Sequence, residues 1–110
     1  MDEPSGPTVF RDLAAEVEIP PEGTLSRVLY KDDQIRVVVF AFDTGQELTA
    51  HTAAVAAVVE VISGRLRVGL GDDEHELAPG SWVHMPANLR HSVAAIEPSV
   101  MLLTMLKAGS

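Results

Sequence analysis

Gly45-Gln46-Glu47-Leu48-Thr49-Ala50-His51-Thr52-Ala53-Ala54-Val55-Ala56-Ala57-Val58-Val59-Glu60-Val61-Ile62-Ser63-Gly64 reads as two strands held between two glycines. Residues 55–62 are rich in valine and isoleucine, whose branched side chains pack well on a pleated surface. Ser63-Gly64 closes the run with turn chemistry. Side chains alternate along a strand, so residues 57, 59 and 61 share one face and 58, 60 and 62 the other. In the first run, 47–52, the same period puts Glu47, Thr49, His51 and Ala53 together.

The pattern continues on both sides of this stretch. Turn residues recur at 31–34, 43–45, 71–74, 79–80 and 86–88. They separate short β-rich runs at 24–30, 35–42, 65–70, 75–78, 81–85, 90–96 and 100–106. Turns spaced by about 8–12 residues indicate an antiparallel sandwich or barrel. The only helical signal is about one turn at 12–17. Residues 1–8 and 18–23 are rich in proline, glycine and acids, and read as a tail and a linking loop. The expected organisation is an N-terminal extension, 1–23, followed by one barrel, 24–110. At 110 residues and 46% apolar content, the chain suits one domain with a real core.

Composition excludes several function classes. There is no cysteine, which removes disulfides, thiolate metal sites and thiol nucleophiles. The formal charge is −8, and the eight Lys and Arg residues are scattered singly. Nucleic acids and anionic membranes demand a clustered basic face, so neither is an expected partner. Residues 1–15 show no basic start followed by an apolar run, and no stretch approaches the roughly 20 apolar residues of a membrane-spanning helix. A cytoplasmic location is expected.

Two runs are apolar on both faces: Val37-Val38-Val39-Phe40-Ala41-Phe42 and Val100-Met101-Leu102-Leu103-Thr104-Met105-Leu106. A strand covered on both sides reads this way. A second copy of the chain, giving a homodimer, is the expected cover; the alternative is the N-terminal segment. Met85, Met101 and Met105 read as core residues.

Four histidines, at 51, 75, 84 and 91, are the candidate chemical groups. His75 lies beside an acidic turn, in solvent. His84 shares a face with Trp82, while Val83 and Met85 take the other. The spacing around His51 and His91 resembles that of the cupin superfamily. In its first motif Gly is followed after five residues by His-x-His, then after three by Glu, then after six by Gly. Here the matching positions hold Gly45, His51-Thr52-Ala53, Ala57 and Gly64. In its second motif Gly is followed after five residues by Pro-x-Gly, then after two by His, then after three by Asn. Here they hold Gly80, Pro86-Ala87-Asn88, His91 and Ala95. The resemblance implies an all-β double-stranded β-helix, a jelly-roll-like antiparallel barrel with one interior pocket.

It also implies where a metal would sit. In metal-bearing cupins the two motifs supply three His and one Glu to a divalent ion. His51 and His91 occupy two of those positions, and Ala53 and Ala57 occupy the others without a donor atom. Asn88 in place of Gly is tolerable, because asparagine adopts the left-handed conformation such a turn requires. The expected function is therefore the binding of a small, partly apolar molecule, with His51, His91, Ala53 and Ala57 around it and no tightly bound metal. Two alternatives stand beside it. One is a metal-dependent enzyme of dioxygenase or isomerase type, with Zn, Fe, Ni or Mn held by His51, His91 and His84 if His84 turns inward. The other is a metal-free isomerase with His51 or His91 as general base, for which Glu47 is the sole carboxylate on offer.

Overall fold

β-branched runs and turn residues organise the computed structural model, which describes residues 6–107. A 3₁₀ turn, Leu13–Glu16, precedes nine strands: β1 (Thr24–Lys31), β2 (Ile35–Phe42), β3 (Glu47–His51), β4 (Ala57–Ser63), β5 (Leu66–Leu70), β6 (Asp73–Leu77), β7 (Trp82–Met85), β8 (His91–Ala95) and β9 (Ser99–Leu106). They form two antiparallel sheets, ordered β1-β2-β9-β4-β7 and β3-β8-β5-β6. This is the antiparallel two-sheet arrangement expected from the turn spacing and the double-stranded β-helix implied by the resemblance. Residues 1–5 of the expected extension and 108–110 of the expected barrel lie outside the described residues.

Each expected strand is present, with most ends within one residue of expectation and two starts moved by two residues. β6 begins at Asp73 rather than 75, because Leu70 pairs directly with Asp73. Only Gly71 and Asp72 are left to turn, and Gly71 takes the positive φ that a two-residue hairpin loop requires. β4 begins at Ala57 rather than 55 and β3 ends at His51, so residues 52–56 form a loop. Asn88, as expected from its type, lies in the left-handed region at φ 69°.

The core lies between the sheets. Ala57, Val59 and Val61 of β4 meet Leu66 and Val68 of β5, Val93 and Ala95 of β8, and Phe42 and Met101. Ser99 is the buried polar residue of this region. Its hydroxyl accepts from Arg65 N at 2.9 Å and lies within donating distance of Glu97 O, 2.7 Å, and Arg65 O, 3.2 Å.

The outer face of the five-stranded sheet carries a second apolar cluster. Val39, Val100 and Leu102 are buried there beneath Leu13, Val17 and Ile19. Arg27 helps hold this cover by donating to Glu16 O at 2.9 Å. The doubly apolar character of β2 and β9 thus has an explanation within one chain: the N-terminal segment covers much of their outer face. The homodimer loses its original motive, though Trp82 (62% exposed), Leu25 and Val28 remain exposed on the edge strands of this sheet. Among the described residues, no helix is long and apolar enough to cross a membrane.

Candidate functional site

β3 and β8 pair at the edge of the four-stranded sheet, and that pairing builds the site. Glu47 lies opposite Ala94, Leu48 opposite Val93 and His51 opposite His91. Between the last two pairs β3 spends three residues and β8 two, so β3 carries a bulge. A bulge inserts one residue and shifts the alternation beyond it. His51 therefore shares its face with Leu48, whose partner Val93 is buried in the core, and not with Glu47 and Thr49. The expectation that Glu47, Thr49 and His51 lie on one face is corrected. Glu47 and Thr49 instead line a shallow groove with Arg67, Glu74 and Ala94 on the sheet's outer side.

The two imidazoles are in contact, with ring centroids 4.2 Å apart and planes inclined by 62°. Each is tied down in the same way. His51 Nδ1 lies 2.9 Å from Thr49 O, and His91 Nδ1 lies 2.9 Å from Leu89 O. A carbonyl oxygen can only accept, so in both rings Nδ1 carries the proton and donates it. In the neutral rings the lone pair is then on Nε2, at the far end of each side chain.

Both histidines line a cavity of about 70 Å³ with Ala53, Val55, Ala57, Met85, Leu103 and Met105. Such a space holds about two water-sized groups. His51 is exposed and His91 half-buried, so the imidazoles stand where the cavity opens, with apolar walls behind them. The turn at Pro86–Leu89 is fastened to the first motif by Asn88 N donating to Ala53 O at 2.7 Å, which holds the two motifs in one place.

His84 is not in this group. β7 pairs with β4 so that Met85 faces Ala57, and His84 lies opposite Val58. Ala57 and Met85 are buried in the core, so His84 points to the outer face with Trp82 and is exposed. Glu60, opposite Trp82 and Leu102, is on that outer face too. The three-histidine set expected of a metal-dependent enzyme is not assembled. Nor does a carboxylate stand behind either pocket histidine, since both Nδ1 atoms face backbone carbonyls. The sequence pattern places Met85, Met101 and Met105 in the core. Met85 and Met101 are buried there and half-buried Met105 packs against that core, but Met85 and Met105 also form cavity wall.

A model of the cupin domain matches residues 38–106. The chain belongs to the cupin domain family. No curated protein is similar to this cupin. Among solved structures, a conserved protein of unknown function from Streptococcus pyogenes is 30% identical, with 99% of this chain and 95% of that one covered and a TM-score of 0.85. A cupin superfamily protein from Desulfitobacterium hafniense is 21% identical over 94% of this chain and 93% of that one, at a TM-score of 0.82. KdgF from a Halomonas species is 22% identical over 82% and 84%, at 0.74. At these lower identities the likeness is one of fold.

The divalent metal of metal-bearing cupins does not fit the hard and borderline donors present. Two of the four corresponding positions end in methyl groups, and the nearby carboxylates face away. Among the described residues, no three His, Cys, Asp or Glu side chains converge. Zinc or iron takes three or four protein ligands from this set.

Proposed function

We propose that this cupin binds a small, partly apolar molecule at the His51–His91 cavity, without a tightly bound divalent metal. One observation carries the reading: two adjacent imidazoles have their Nδ1–H groups committed to backbone carbonyls, which leaves two Nε2 lone pairs beside an apolar space. Neutral rings so arranged accept hydrogen bonds. The favoured occupant therefore offers an O–H or N–H to the imidazoles and a short apolar group to Ala53, Ala57 and Leu103. Ligand sites commonly combine apolar walls with a few placed polar groups. The small volume restricts what enters to a few heavy atoms, with the rest of the molecule at the open side beside His51.

The test is a screen of small alcohols, phenols and amides, read by the imidazole resonances of isotopically labelled protein. Bound molecules are expected to shift His51 and His91 together and leave His75 and His84 unmoved. Ala53→Leu, which fills the cavity, is expected to abolish those shifts. Binders whose effects persist in Ala53→Leu, or that move only His75 and His84, would refute the assignment.

A further inference from the structure

The wall of the cavity opposite the histidines is built from Ala57 and its two strand neighbours. Met85 lies opposite Ala57 across β7, and Met105 lies opposite Ala57 across β9. The three form one row along the inner face of the five-stranded sheet. Ala57 has only a methyl group, and both methionines line the same cavity of about 70 Å³ as His51 and His91. Two histidines and two methionines therefore line a single small space.

The chemistry of this set is selective. All four donors are uncharged, so a bound cation keeps its full charge in a partly apolar setting. That is costly for a divalent ion and less so for a monovalent one. Thioethers are soft ligands and favour copper(I), while imidazole suits copper as well. The Nδ1–H groups donating to Thr49 O and Leu89 O are the outer partners that metal-binding histidines commonly have, and they leave Nε2 as the donor.

We propose that the chain binds one copper(I) ion through His51, His91, Met85 and Met105. The inference goes beyond the organic-ligand reading. The ion and the organic molecule draw on the same Nε2 lone pairs, so each excludes the other, and the ion alone depends on Met85 and Met105. No redox step is involved: the ion enters and leaves as copper(I).

The test uses tag-free full chain under anaerobic, reducing conditions. Copper(I) is supplied as its acetonitrile complex, in competition with a chromophoric copper(I) chelator. The wild type is expected to withdraw one ion per chain. Met85→Leu and Met105→Leu preserve shape and hydrophobicity closely. Each is expected to weaken binding by about tenfold or more, since even outer-sphere partners of a metal act on that scale. Circular dichroism of each variant checks that it is folded, and half-buried Met105 is the safer of the two positions. X-ray absorption at the copper edge of the wild type is expected to show both sulfur and nitrogen in the shell, a readout that needs no variant. Failure of the wild type to take copper from the chelator would overturn the proposal. So would affinity unchanged in both leucine variants, or a copper shell without sulfur; either would leave the methionines as packing alone. A zinc affinity above that for copper(I) would overturn it too.

Discussion

Replacing Gly64 by alanine tests how tightly the loop closing the first motif is built. Gly64 has φ +82°, and an added Cβ would stand inside contact distance of Pro98 O and Ser99 Oγ, and 2.6 Å from Ser99 Cα. Those neighbours have little room to yield. Ser99 is fully buried, and its hydroxyl is engaged with Arg65 and Glu97. Left-handed backbone costs alanine about 1–2 kcal/mol. Forcing extra volume against packed backbone adds roughly 1–3 kcal/mol. The expected loss is their sum, about 2–5 kcal/mol, against a total stability of roughly 5–15 kcal/mol for a domain. At about 4–8 °C per kcal/mol for a domain near this size, Tm should fall by roughly 10 °C or more. Gly80 is the control, because it has φ +93° with nothing within 4 Å of an added Cβ. Gly80→Ala should lose only the backbone term, about 1–2 kcal/mol. Urea and thermal unfolding of both variants measure the difference. If Gly64→Ala proved no more destabilising than Gly80→Ala, the close approach of the Pro98-Ser99 backbone would be refuted as the reason for glycine.

Nitrogen-15 spectra of the imidazoles at a pH where they are neutral should show His51 and His91 protonated at Nδ1 and bare at Nε2; the opposite tautomer in either ring would break the account of the site. Asp32 accepts from Tyr30 Oη, Ile35 N and Gln34 N, and Asp43 accepts from Glu22 N and Thr44 N, so both carboxyls are held below the usual range. Their stabilisation is full above the unfolded-chain value, about pH 3.9, and is lost as pH falls through the lower folded values. Asp43→Asn should accordingly flatten the acid limb of a stability profile below about pH 4, and an unchanged limb would exclude Asp43 from it. A homodimer through the exposed edge of the five-stranded sheet should give a dimeric mass by light scattering that Trp82→Glu reduces to the monomer; a monomeric wild type at micromolar concentration would dismiss it.

Much of this protein is legible without coordinates. Local chemistry sets the strands, because turn residues and β-branched runs act within a few positions of themselves. Hence the nine runs appear nearly where expected, and Asn88 adopts the left-handed backbone its type tolerates. Motif spacing brings His51 and His91 together because each motif carries its own strand and turn, and the two strands pair. The boundary at β6 moved because a two-residue turn needs less chain than a run of acids suggests.

What the one-dimensional pattern leaves open is register, which belongs to pairs of strands. Strict alternation grouped His51 with Glu47, but the pairing of β3 with β8 inserts a bulge and sets them on opposite faces. The cover of β2 and β9 depended on where the N-terminal segment lay, which the composition of residues 6–23 does not state. His84 and Met85 make the point most sharply. Alternation requires that they face opposite ways, but not which one faces the cavity. That depends on Met85, not His84, lying opposite Ala57 of β4. Neighbouring side chains on a strand diverge for local reasons, whereas inside and outside are defined by the strands and sheets packed around them.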